Sequence, residues 1–373
     1  MNKFSWQHPV ATPEQIDDVI VLLGSSRSGS SLLYQILSQH PVINSLPGED
    51  ITYFRLHDYQ KVDHFSQDDR LHNIVIDYPE LARTILTDAG TIELKQSPNT
   101  FEKVNRFILQ WPMHAHNPDY LFSVFDSTKN YEEGINKIGV NLNLYENYLL
   151  NKTIEFDIER SFIEEPPFLF PKSRSFKNKK RNILILKSSS NSYRMDHIKN
   201  LFPKANYHYF LIKRKPEGAI NGLMDGWNSS GFHSHFLGHL TELNIDLYPS
   251  KNWWKFDLPP NWQKFTNSTL PEVCAFQWSS AYQFILKFLA NKNFATIEYE
   301  DFFTPDIAFL KINHFLNSIN LSPLPVETFF PEIMTTNKPS LDRWREKEDL
   351  IMPVVEQSYV KDIYHELLDK TAS

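Results

Sequence analysis

A single cysteine, Cys274, stands in 373 residues. An internal disulfide is therefore excluded, and a reducing compartment is expected. No apolar run approaches the roughly 20 residues of a membrane-spanning helix. The first residues, MNKFSWQHPVATPEQ, lack the apolar centre of a signal peptide. The expectation is a soluble cytoplasmic protein with no membrane partner. Basic excess is missing too: 38 Lys and Arg against 45 Asp and Glu leave a net charge of −7. That argues against nucleic acid as the main partner, so any anion site must be local. Repeats and low-complexity tracts are also absent. Apolar residues, by contrast, make up 41% of the chain and aromatics 14%, with 28 Phe. This suffices for a large core and aromatic-lined pockets, in one large α/β domain or two smaller ones.

One stretch organises the rest: VIVLLGSSRSGSSLL, residues 19–33. Val19 to Leu23 is an unbroken apolar run, as in a strand buried on both faces. Gly24 ends it. Small and polar residues with one arginine follow, and then Leu32, Leu33, Ile36 and Leu37 fall at helical spacing. Strand, tight loop and helix together make the outline of a phosphate cradle, whose backbone N–H groups converge on an anion. Gly24 and Gly29 let the backbone approach; Ser25, Ser26, Ser28, Ser30 and Ser31 offer hydroxyls. The two glycines have the spacing of a nucleotide-triphosphate loop. That loop continues with Lys and then Ser or Thr, where this chain has Ser30-Ser31. Arg27, inside the loop, is its cation. No apolar strand ends in an Asp that would hold magnesium; the nearest candidate, residues 182–186, runs into Lys187. The expectation is a cradle with a cation and no metal site.

His40-Pro41 ends the cradle helix. Val42-Ile43 reads as a short strand running into Leu46-Pro47-Gly48-Glu49, which puts Glu49 at the ligand edge of an open sheet. Residues 50–180 read as a helical, aromatic insertion that caps the acceptor site, with helices from Ser97-Pro98 and over 131–150; basic 172–181 reads as a solvated loop. Strands are expected at 183–186, 207–212 and 294–297. Helices are expected at 193–202, 217–227, 273–289, 307–316 and 359–368, with 228–270 irregular. This alternation implies a parallel sheet with right-handed crossovers. The fold class is α/β, a three-layer parallel sheet with helices on both faces, as a single domain over 1–373. Arg27, Lys187 and Arg214 each stand just past a strand end. Three cations so placed suggest a ligand with at least two anionic groups.

These motifs resemble the sulfotransferases that use 3′-phosphoadenosine 5′-phosphosulfate (PAPS), in their carbohydrate, protein-tyrosine and bacterial branch. In that family a strand–loop–helix reading Arg-Ser-Gly followed by two Ser or Thr binds the 5′-phosphosulfate; here it is Arg27-Ser28-Gly29-Ser30-Ser31, with Ser26 before it. A later Leu-Phe-Pro-x-Ala segment, a strand and Arg-x-Pro bind the 3′-phosphate; here they are Leu201 to Ala205 and Arg214-Lys215-Pro216. Tyr299-Glu300-Asp301 matches a third element, and Arg343-Trp344-Arg345 matches a C-terminal one. Where the family has serine eight positions after the 3′-phosphate arginine, this chain has Gly222, beside Asn221, so that contact is lost or moved. The histidine base of cytosolic members is absent, since Ser188 and Ser189 follow Lys187. Gly48-Glu49 matches the carboxylate loop of other branches.

The resemblance implies sulfuryl transfer from PAPS to a hydroxyl or amine of a small molecule, without a metal; the acidic, aromatic-rich composition suits a cationic or amphiphilic acceptor such as a secondary metabolite. Glu49 would take the proton. Arg27, Lys187 and the cradle N–H groups would stabilise the leaving phosphate. Arg214, with Arg343 or Arg345, would hold the 3′-phosphate. His57, His64 and His233 stand in reserve as bases. His235 and His239 are four apart, a spacing that can bind zinc, but no metal-type Glu or Cys accompanies them. Trp253, Trp254 and Trp262 read as packing residues. Two rival readings remain: a nucleotide triphosphatase or kinase, and a non-catalytic nucleotide-binding module. Monomer and homodimer are both open.

Overall fold

The computed structural model describes residues 12–46, 49–51, 53–54, 68–72, 74–86, 89, 100, 103–104, 107, 118–129, 131–138, 181–229, 232–237, 240–324 and 336–371. Seven strands occur among them: β1 (Asp18–Leu23), β2 (Ile43–Ser45), β3 (Ile183–Lys187), β4 (Asn206–Lys213), β5 (Ser234–Phe236), β6 (Trp253–Lys255) and β7 (Phe294–Glu298). Five form one sheet in the order β2-β3-β1-β4-β7, every neighbouring pair parallel. β5 and β6 pair antiparallel beside it.

Side-chain alternation explains why β1 is apolar from Val19 to Leu23. Val19, Val21 and Leu23 enter one core, with Leu184, Leu186 and Leu211 and with Leu223, Trp227, Trp278 and Tyr282 from helices Pro216–Trp227 and Leu270–Leu289. Ile20 and Leu22 enter the other, with Ile185, Phe210 and Ile212. There they meet Leu33, Ile36 and Leu37 of α1 (Ser30–Ser38) and Ile312, Phe315 and Leu316 of helix Pro305–Ser318. A strand covered on both faces has no solvent side to mark with polar residues. This is the α/β three-layer architecture expected from the sequence.

The helix ends follow local chemistry. Thr269 and Glu272 form a capping box before helix Leu270–Leu289, with Pro271 in its first turn. Pro216 and Pro305 begin the helices at 216 and 305. The segment read as one helix over 193–202 is two pieces. A 3₁₀ turn covers Ser189–Tyr193, with the Ser188 side chain accepting from the Ser190 N–H, and an α-helix covers Met195–Leu201. Part of 228–270, expected to be irregular, holds the β5–β6 hairpin. Of the helix read over 131–150, Tyr131–Ile138 is helical; its remainder, Ser97-Pro98 and most of 50–180 lie outside the described residues. Among the described residues no helix is long and apolar enough to cross a membrane.

Registers align the carboxyl ends. Leu22 lies opposite Lys187, Leu23 opposite Leu211, and Lys213 opposite Glu298. The segments after β2, β3, β1, β4 and β7 therefore leave one sheet edge in that order. The chain turns to one side after β1 and to the other after β4, so this edge holds the switch point where open α/β sheets bind ligands.

Candidate active site

Sheet order sets the order of side chains along this edge: Glu49 after β2, Lys187 at the end of β3, the loop 24–29 after β1, Arg214 after β4, Tyr299 after β7. The loop turns through left-handed backbone at Arg27 (φ 63°) and Gly29 (φ 93°). Gly29 caps α1, and a Cβ there would stand 2.6 Å from the Tyr299 ring. Gly29→Ala therefore meets both a disfavoured φ and a ring. We expect it to cost about 1–3 kcal/mol, read as a lower Tm.

Two of the serines expected to face an anion are engaged by the protein instead. Ser28 Oγ donates to the Ser25 carbonyl (2.7 Å), and Ser26 Oγ donates to Asp257 Oδ1 (2.9 Å). The loop's resources for an anion are thus its N–H groups, the unbonded first turn of α1 and its cations. Ser30 is half-buried at that first turn. Ser31 Oγ accepts from Lys187 Nζ at 2.8 Å.

On the β3 side, the Lys187 ammonium also pairs with Glu49 Oε1. Both side chains are largely buried. Burial, and then the Arg27 guanidinium, push Lys187 down to about 7; contact with the Glu49 carboxylate works in the opposite direction. The neighbouring Asp50 is fully buried and accepts from Asn191 Nδ2 at 3.0 Å, and burial pushes its carboxyl up to about 6.

On the β4 side, Arg214 Nη1 donates to the Arg27 carbonyl (2.7 Å), and Arg27 Nε donates to the Gly222 carbonyl (3.3 Å). Arg214 lies 3.9 Å above the Tyr299 ring, and Arg27 lies 4.7 Å above that of Phe232. A Cβ on Gly222 would come within 3.1 Å of Arg214 Nη1 and 3.4 Å of Arg27 Cβ. A residue without a side chain there makes room for the two arginines. Arg214 forms no ion pair with a carboxylate among the described residues; its Nε is buried and unbonded, and burial lowers its pKa. Asn221 Oδ1, also buried, has no partner there either. Both side chains line a cleft of about 430 Å³, open to solvent, whose far wall is residues 336–344. Arg343 lines it too, held by Asp225, which also takes Lys347 Nζ at 2.6 Å.

A model of the sulfotransferase family matches residues 19–311, most of the chain and all of this sheet edge except the wall at 336–344. The chain belongs to the sulfotransferase family. No curated protein matches it. Among solved structures, the sulfotransferase domain from the curacin biosynthetic pathway is 16% identical, with TM-score 0.39 over 95% of this chain and 98% of that one. The sulfotransferase domain of the Synechococcus PCC 7002 olefin synthase is 13% identical, with TM-score 0.40 over 98% of both chains. A sulfotransferase from Alicyclobacillus acidocaldarius is 12% identical, with TM-score 0.34 over 95% of this chain and 98% of that one.

In this sulfotransferase the edge gathers Arg27, Lys187, Glu49, Ser31, Arg214, Gly222 and Arg343. Arg345 stays outside the cleft: it stacks over Trp344 at 4.6 Å and donates to Asp342 at 3.4 Å, with its side chain 59% exposed. The tight 3₁₀ turn Arg343–Lys347 sends residues two apart to different sides. His235 bonds the Phe256 carbonyl across the hairpin (2.9 Å), with His233 beside it at 4.9 Å between ring centres. His57, His64 and His239 lie outside the described residues. Trp253, Trp254 and Trp262 are buried in packing. Sequence reasoning missed Asp225 and Asp257. Asp225 meets Arg343 across 118 residues of chain and Asp257 meets Ser26 across 231, and no local spacing marks them.

Proposed function

We propose that this sulfotransferase moves a sulfuryl group from PAPS to a hydroxyl or amine of a small-molecule acceptor. The observation that carries this reading is Arg214: a half-buried guanidinium whose buried Nε has no partner among the described residues, lining a cleft beside a likewise unpartnered Asn221 oxygen. A buried charge is costly until an anion completes it. Arg214 and Arg343 suit a 3′-phosphate, with Asn221 where the family's serine is missing. The loop N–H groups and Lys187, on the Glu49 side, suit the 5′ end; Arg27, which lines the Arg214 cleft and whose charge also reaches Lys187, stands between the two anionic groups. When bound, the donor supplies the sulfuryl group and a phosphate that leaves as an anion.

The chain's own groups divide the remaining work. Lys187, positioned by Ser31, brings positive charge to the anion that develops. Glu49 takes the acceptor's proton, and its basicity rises as Lys187 turns from it toward the leaving group. An acidic, aromatic-rich chain suits a cationic or amphiphilic acceptor, such as a secondary metabolite.

Calorimetric titration with 3′-phosphoadenosine 5′-phosphate, the desulfated donor, tests the reading, with ATP and magnesium titrated in parallel. We expect roughly micromolar binding of the bisphosphate, weakened about tenfold to a hundredfold by Arg214→Ala and also by Arg27→Ala, as for charge-assisted bonds of 1.5–3 kcal/mol. Tight ATP–magnesium binding without a response to the bisphosphate would overturn it in favour of a triphosphatase or kinase.

A further inference from the structure

Behind the loop stands a carboxylate that the proposed chemistry does not use. Asp257 follows β6 and is fully buried. Its Oδ1 accepts from Ser26 Oγ and its Oδ2 from the Tyr193 hydroxyl, each at 2.9 Å. Its backbone carbonyl accepts from Trp254 Nε1 (2.9 Å) and Gln277 Nε2 (2.8 Å), so the residue is anchored from both ends. Ser26 belongs to the loop after β1 that carries Arg27. Tyr193 belongs to the 3₁₀ turn that follows Lys187. One carboxylate therefore ties together the two segments bearing the cations of the 5′ side. The same stretch is fixed at two more points: Asn191 to Asp50, and Arg194 to Asp69 at 2.7 Å, whose other oxygen accepts from the Leu258 N–H at 2.8 Å.

A purely packing role would suit an apolar side chain better, because a buried carboxylate without a cation is destabilising. No ion pair to Asp257 occurs among the described residues. Ser26, Tyr193, Asp69 and Cys274 face it, and burial, then the Asp69 charge, push its carboxyl up to about 7. Strongly perturbed carboxyls concentrate at functional sites.

We propose that Asp257 is a positioning residue for donor binding: it fixes Ser26, and through Ser26 the approach of the loop N–H groups to the donor's 5′ end. The proposal rests on the donor reading above. Asp257→Asn keeps the volume and removes one acceptor.

The test titrates the desulfated donor into the native protein, Ser26→Ala, Asp257→Asn and the double variant, with Tm and donor KM and kcat measured alongside. Each single change is expected to weaken binding about tenfold, the worth of one buried charged hydrogen bond. The double variant should be no weaker than the worse single, and donor KM should rise with kcat within about twofold, the signature of one shared interaction rather than two independent ones. Native-like affinity in Asp257→Asn, or losses that multiply in the double variant, overturn the proposal while leaving the donor reading intact. If Asp257→Asn fails to fold, Ser26→Ala decides: unchanged affinity overturns the proposal, and a tenfold loss at native Tm supports it. A native protein that does not bind the bisphosphate overturns the donor reading and this proposal together.

Discussion

Glu49→Gln is expected to lower turnover by about 10²- to 10⁴-fold, the usual contribution of a positioned general base, while the affinity for the desulfated donor changes within a few-fold. Gln matches Glu in shape, and its amide oxygen still accepts from Lys187, so the geometry around Ser31 is retained. The capacity to take a proton is lost, and with it the charge that faces Lys187. A second consequence has a definite sign. The paired carboxylate favours the charged form of Lys187, and its removal leaves burial and Arg27, both of which disfavour that form. The alkaline fall in kcat/KM should therefore begin at lower pH in Glu49→Gln than in the native enzyme. Turnover at saturating donor reads the first effect, and kcat/KM for the donor, measured from pH 5.5 to about 9, reads the second. A variant that keeps more than about a tenth of native turnover would move the proton to another group, and His57 and His64 would be the next to change.

The parts of the sequence that could be read are those where a local pattern carries the information. Val19 to Leu23, Ile183 to Leu186, Tyr207 to Ile212 and Phe294 to Ile297 are apolar runs, and each is a strand of the parallel sheet, the last at its edge. The strands extend further, to Asp18, Lys187, Lys213 and Glu298, because the ladder hydrogen bonds continue whatever the side chain is. The helix over 193–202 was misread because Asn191 and Tyr193 are drawn into bonds with Asp50 and Asp257, which hold the chain in a 3₁₀ turn before Met195. The hairpin strands are three residues each, too short to show a period, and Gln277 holds their far end through the Lys255 carbonyl. At the site, cations could be read because they stand at strand ends. Their counterparts could not: Asp225 meets Arg343 and Asp257 meets Ser26 across 118 and 231 residues. Ser26 and Ser28 looked like anion donors by type alone. Which way a loop hydroxyl turns is decided by acceptors that other segments bring.

Lys187 offers the second large effect, and its pH dependence can be worked out. Its ordinary value is 10.5; burial, then the Arg27 charge, push it down to about 7, and the Glu49 contact acts against them. The charged form is thus lost as pH rises from about 7, well below the ordinary range of a lysine. If that charge stabilises the leaving phosphate, kcat/KM, which reports the free enzyme, should fall on the alkaline side of about 7. A bound donor brings negative charge beside the ammonium and favours its charged form. The alkaline limb of kcat, which reports the complex, should therefore lie at higher pH than that of kcat/KM. Lys187→Met keeps the length of the chain and removes the charge. Its expected cost is about 10²- to 10³-fold in kcat, that of deleting one group aimed at a developing anion, with only a modest loss of affinity for the desulfated donor because Arg27 and Arg214 remain. The alkaline limb should vanish with it. A Lys187→Met enzyme that still loses activity above the same pH would assign the limb to another group. One with native kcat would remove Lys187 from the chemistry and leave it as the partner that holds Glu49 in place.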